Sequence, residues 1–313
     1  MKRIDFENGT VTRNIFSAAI PMLVAQILSL LYNIVDRIYI ARIPEVGTTA
    51  LGAVGLCFPV IVIITAFSNL FGTGGAPLFS IARGKGDREE AGQIMNTSFT
   101  MLCCCAVMLM LFGLIFARPI LRIFGASNEA LPYAYPYMMI YLLGTVASMI
   151  ATGMNPFINS QGYSTVGMLS VALGAITNLI LDPVFIFVLD FGIKGAAIAT
   201  ILSQFLSAAF VVNFLHNKAE YRVKLLKFRE LADSLTLLKN IVSLGTAGFI
   251  MQLTNSLVTI CCNNVLAVTG GDLYVSVMTI VSSVRQIIET PLHSLTEGSS
   301  PILSFNYGAR KPK

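Results

Sequence analysis

Apolar residues along this chain come in long blocks separated by short polar joints. Eight blocks, 14–40, 51–78, 93–117, 133–157, 164–189, 194–215, 240–266 and 273–303, each run twenty residues or more with few charges. That is the length a helix needs to cross about 30 Å of hydrocarbon. The pattern predicts an all-α, polytopic membrane protein. Thr12 or Asn14 can cap the first span, and Pro21 inside it predicts a bend and a hinge. Gly72-Thr-Gly-Gly-Ala-Pro77 predicts a loosened end to the second span, and Arg118-Pro119 a stop to the third. Gly192 and Gly195 predict a tight turn from the fifth to the sixth.

Composition agrees with this pattern. Apolar residues make up 55% of the 313 and charged residues 12%, with mean hydropathy +0.75. A soluble chain would carry about twice that share of charge. The polar start and the length of the first apolar block argue against a cleavable leader. Cys57, Cys103, Cys104, Cys105, Cys261 and Cys262 all fall inside apolar blocks and are expected to be small packing residues. His216 and His293 are too far apart for a metal motif. His216 is expected at an interface and His293 in packing.

The net charge of +5 sits in particular loops, so it implies no nucleic acid partner. Fifteen Lys and Arg fall on the side that holds the N-terminus, and five on the other. The N-terminus is therefore expected in the cytoplasm, in a multi-pass protein of the plasma membrane. The basic stretch 216–239 reads as a cytoplasmic linker, in part an amphipathic helix on the membrane surface.

One stretch is out of character with its block. Asn178-Leu-Ile-Leu-Asp182-Pro183 places an acid in hydrocarbon, with an amide four residues earlier on the same helical face. Pro183 weakens the backbone there and is a second hinge candidate. Asp36 in the first span, Tyr137 in the fourth and Thr200 in the sixth fall at a similar depth in the outer leaflet. Oxygen ligands at one depth suit a proton or a hard cation such as Na⁺, held by Asp36, Asn178, Asp182 and Thr200. The competing readings are an interfacial salt bridge from Asp36 to Arg37 or Arg42, and a bond from Thr200 to its own helix. Arg285 and Glu289, four apart in the eighth block, read as an ion pair or as a coupling or substrate element.

The chain also repeats itself. Pro77, Ser80 and Gly84 recur as Pro301, Ser304 and Gly308, at an offset of 224 that maps the first span onto the seventh. This predicts a six-helix lobe, 1–215, the linker 216–239, and the first two helices of a parallel second lobe, 240–313. A complete second copy would end at about residue 448, so the chain is expected to be truncated.

At these residues the chain resembles the multidrug and toxic compound extrusion (MATE) transporters. The likeness rests on Pro21 with Asn33-Ile-Val-Asp36, on Ala82-Arg-Gly-Lys-Gly-Asp-Arg-Glu-Glu-Ala91, and on Asn155-Pro with Asn159-Ser-Gln-Gly162. It continues through Asn178…Asp182-Pro183, Gly195-Ala-Ala-Ile-Ala-Thr200 and Pro301…Phe305-Asn-Tyr-Gly-Ala309. The resemblance implies twelve helices in two lobes, and export of bulky, mostly cationic drugs driven by H⁺ or Na⁺, with no other cofactor. It implies a cation site at Asp36, Asn178, Asp182 and Thr200, with Tyr137 joining its network. Asn155, Tyr32, Gln26, Glu289 and Arg285 are candidates for the substrate cavity. Gln252-Leu-Thr-Asn255 in the seventh span lacks an acid, so a second-lobe sodium site is not expected there. The expected partners are lipophilic cations and the bilayer, and the expected state is a monomer. The alternatives are a lipid-linked oligosaccharide flippase, which would want more than Arg285 as intramembrane positive charge, a membrane enzyme, and a non-transporting fragment.

Overall fold

The structure is a computed structural model that describes residues 3–7, 10–44, 46–227, 230–231 and 234–310, without the side chains of Thr48 and of most residues in 259–287. The described elements are helices: α1 Val11–Ala41, α2 Gly47–Gly84, α3 Arg88–Ile123, α4 Leu131–Leu143, α5 Thr145–Ser160, α6 Ser164–Pro183, α7 Gly192–Asn217 and α8 Leu235–Gly308. Among the described residues, six helices are long and apolar enough to cross a membrane. They number seven when α4 and α5, bent by 55° at Gly144, count as one span. The fourth predicted span is therefore a broken one. The eighth predicted span, 273–303, lies in part outside the described side chains.

Several local expectations change. α1 starts after Thr10, and Asn14 lies inside the helix, where its side chain donates to the Asp5 carbonyl at 2.8 Å. α2 runs unbroken through Gly72–Pro77, and α3 continues past Pro119 to Ile123. In an apolar setting each backbone group must stay bonded, so helices persist where soluble ones would stop. α3 has a conventional start, with Asp87 accepting from the Glu90 amide at 2.9 Å beside two first-turn acids.

The backbone of α8 is helical from Leu235 to Gly308, without the break expected near 267–272. A straight helix would separate Gly245 from Gly308 by roughly 95 Å. Yet Gly245 abuts Leu70 and Gly308 abuts Ile81, eleven residues apart on α2. α8 therefore doubles back, and both of its arms pack on the earlier helices. These contacts follow the 224-residue offset. A Cβ on Gly84 would meet the Phe305 carbonyl, and one on Gly308 would meet that of Ile81. Each residue is the other's counterpart under the offset. In the same way Gly74 abuts Ile241 and Gly245 of the first arm, and its counterpart Gly298 abuts Ala19 of α1. Small residues bring these backbones into contact, which is how helices gain attraction in lipid.

Within the linker, 218–227 is a non-helical strap, while 230–231 are helical, so the helix expected in part of the linker does not extend over its first half. Gln161 accepts from the Tyr221 amide at 3.0 Å, Asn96 from Lys224 at 2.9 Å and Thr100 from Leu226 at 3.0 Å. His216 reaches the strap too, 3.4 Å from the Val223 carbonyl. These side chains supply the partners that a helix would otherwise have provided to the backbone.

Candidate functional site

α1 lies between α6 and the second arm of α8, and the site builds up where α1 meets α6. Asp182 is fully buried on the last turn of α6, and Asn178, 2% exposed, lies one turn earlier. Pro183 cannot donate, and the chain after it widens into a π-helical turn, Val184–Val188. Asn178 Nδ2 donates to Asp182 Oδ1 at 3.2 Å and to Thr200 Oγ1 of α7 at 3.4 Å. Thr200 also donates to its own helix, to the Ala196 carbonyl at 2.9 Å. Both possibilities for that hydroxyl are thus present at once.

Asp36 approaches from α1, and its carboxyl is within hydrogen-bonding reach of the Asp182 carboxyl. Among the described residues neither aspartate is in an ion pair, so a bridge from Asp36 to Arg37 or Arg42 is not what the structure holds. Arg37 bears on Asp36 only as a neighbouring charge. Tyr137, buried on α4, shares the electrostatic surroundings of both aspartates. Asp36 Oδ1, Asp182 Oδ2 and Asn178 Oδ1 are buried and accept no hydrogen bond. Such acceptors are expensive in an apolar interior unless a proton or cation joins them. Two carboxyls in contact repel when both are ionised, and a bound H⁺ or Na⁺ removes that repulsion. With two acids at hand, a bound Na⁺ would draw its remaining oxygens from Asn178 and Thr200.

The other candidates lie elsewhere. Tyr32 is half-buried on α1, one turn before Asp36. Asn155 is engaged on all sides: its amide donates to the Gly167 carbonyl at 3.1 Å and to Ser170 Oγ at 2.8 Å, and its oxygen accepts from Asn159 at 3.1 Å. It clamps α5 to α6. Arg285 and Glu289 pair at 3.3 Å on an exposed face of α8. Gln26 donates to Glu297 Oε2 at 3.0 Å across the seam between α1 and α8. α1 is continuous through Pro21.

Two groups escaped sequence reasoning. Glu297 is one, and the signal for it was an acid in an apolar arm with no Lys or Arg within a turn. Arg83 is the other. Its guanidinium lies 5.2 Å from the Phe6 ring and 5.1 Å from the Phe305 ring, and it donates to the Ser160 carbonyl at 2.6 Å. Nothing local in the sequence pairs residues 6, 83 and 305.

Helices of membrane-crossing length around a buried cluster of unbonded oxygens are the architecture of a membrane transporter. The MatE family profile matches residues 21–184, just over half of the chain. The chain belongs to the MATE family of multidrug export transporters, which are not enzymes. It is 25% identical over 311 residues to the multidrug export protein MepA of Staphylococcus haemolyticus, covering 98% of this chain and 67% of that protein. MepA of Staphylococcus aureus is likewise 25% identical over 309 residues, with the same coverage. Among solved structures, an outward-facing multidrug resistance MATE transporter superposes with a TM-score of 0.89 at 27% identity, covering 99% of this chain and 68% of that one. A MATE in its straight conformation gives 0.90 at the same identity and coverage. The chain thus spans about two-thirds of the length of these relatives.

Proposed function

We propose that this chain is the cation-coupling part of an antiporter that exports bulky, mostly cationic drugs across the plasma membrane in exchange for H⁺ or Na⁺. The observation that carries this reading is the partnerless trio Asp36 Oδ1, Asp182 Oδ2 and Asn178 Oδ1. A coupling ion entering from outside neutralises the two aspartates, and Thr200 and Tyr137 complete their surroundings. Asp36 rides on α1 and Asp182 on α6, so occupancy changes how tightly α1 is drawn to α6. The same helix also packs against α8, where drug would bind. Ion affinity and drug affinity then oppose each other, and by linkage the opposition is mutual. The swapped contacts at Gly84 and Gly308 support a division into a lobe 1–215, a linker 216–239 and the start of a second lobe, 240–313. The excess of Lys and Arg supports a cytoplasmic N-terminus.

The test is drug accumulation in drug-sensitive cells that express the complete gene product, under imposed Na⁺ and pH gradients taken separately. Asp36→Asn and Asp182→Asn each abolish gradient-driven export while the protein still reaches the membrane. Unchanged export in both variants defeats the assignment.

A further inference from the structure

The two seams between α8 and the first helices are counterparts under the 224-residue offset, yet they differ in charge. In the first seam, α2 against the first arm, Asn69 donates to Gln252 at 2.8 Å. In the second, α1 against the second arm, Gln26 donates to Glu297 at 3.0 Å. The offset sends Asn69 to His293 and Thr73 to Glu297. Each pair is four residues apart on one helical face. Thr73 donates to the Asn69 carbonyl at 2.7 Å, so the first seam is neutral and closed by an amide bridge. The second seam carries an acid, Glu297, instead.

That acid is poorly compensated. Among the described residues its hydrogen-bond donor is Gln26, it joins no ion pair, and the charge that bears on it is His293 one turn earlier. Its side chain is exposed at the edge of the seam, next to the buried Ser294 and Gly298. Gln26 is the central residue of the 31-residue α1, which sets Glu297 near mid-membrane. Asp36 lies ten residues further along, roughly 15 Å at 1.5 Å per residue, and about 80° around the helix. The Glu297 carboxyl is therefore a separate centre, about 15 Å along α1 from the coupling site and on a neighbouring face of that helix. An acid at that depth, with one neutral hydrogen-bond donor, is a group that a mobile cation would pair with.

We propose that Glu297, presented by Gln26 and flanked by His293, is a second cation-recognition site, and that it takes the charged head of the exported lipophilic cation. The site rests on the exporter reading above but uses none of its coupling residues. Gln26 ties it to α1, so a shift of α1 toward α6 pulls away the amide that orients Glu297.

The experiment measures saturable binding of tetraphenylphosphonium to the purified complete protein in lipid nanodiscs, beside a neutral lipophilic compound of similar size. The variants are Glu297→Gln, Glu297→Asp and Gln26→Ala, with loop residue Glu129→Gln as control. Glu297→Gln weakens tetraphenylphosphonium binding about tenfold or more, leaves the neutral compound unaffected, and does not alter the thermal midpoint enough to explain the loss. Glu297→Asp retains part of the affinity, and Gln26→Ala loses a smaller part. Equal loss for both compounds, no loss for either, or no saturable binding to the unsubstituted protein overturns the proposal. Asp36→Asn and Asp182→Asn separate the two readings. If they leave export unchanged while Glu297→Gln abolishes cation binding, the coupling assignment fails and this site stands. If they abolish export while Glu297→Gln binds normally, only this site fails.

Discussion

Gly84 and Gly308 each press on the other's helix three residues before the other glycine, Gly84 on Phe305 and Gly308 on Ile81. Neither position has room for a Cβ. Gly84→Ala and Gly308→Ala should each destabilise the protein by about 1–3 kcal/mol, as overpacking does. The first substitution separates the helices, so the double variant should lose less than the sum. Gly52, with open space around it, should tolerate Ala and gain slightly from better helix propensity. Thermal midpoints in detergent check all four variants, and a fully additive double variant would count against the shared contact.

Asn178 gives one amide to two partners, Asp182 and Thr200. Asn178→Ala removes the donor that orients Asp182 and one oxygen of the cluster. Thr200→Val removes a hydroxyl that is also bonded to its own helix. Export under a saturating gradient should fall about tenfold or more for Asn178→Ala, and by less for Thr200→Val. The reverse order would show that Thr200 is the more important ligand.

Arg83 is held by two rings and one carbonyl. Phe6 and Phe305 also meet edge to face at 5.7 Å, and the Ile4 amide donates to Gly162 at 2.9 Å nearby. This clasp joins the start of the chain to the ends of α2, α5 and α8. Arg83→Lys keeps the charge but loses the planar stacking, worth about 1–2 kcal/mol when desolvated. Hydrogen exchange at the Ile4 amide should then quicken by roughly tenfold. Exchange at the core of α3 should not change.

Gln161 is fully buried and satisfies both the amide and the carbonyl of Tyr221. Gln161→Leu leaves these groups buried and unbonded, at about 1–3 kcal/mol. The strap should loosen, and trypsin should cut at Lys224 or Lys227 sooner than in the unsubstituted protein. Cleavage at an unchanged rate would mean that Asn96 and Thr100 hold the strap without it.

Helix type, approximate span positions and same-helix pairs were determined by the sequence alone. Hydrocarbon leaves the backbone no other partners, so twenty apolar residues dictate a helix wherever they occur. Asn178 and Asp182 had to share a face because four residues are about one turn. The repeat was legible too, from Pro77, Ser80 and Gly84 and their later counterparts.

The relations between helices were decided only by the tertiary structure. The contact of Asp36 with Asp182, the bridge from Gln26 to Glu297, the clasp of Arg83 on Phe6 and Phe305, the folding back of α8 and the strap on Asn96 and Thr100 all join residues far apart in the chain. Each depends on how helices rotate and approach one another. In a membrane that is set by the sum of many weak packing contacts, none of which leaves a local mark on the sequence.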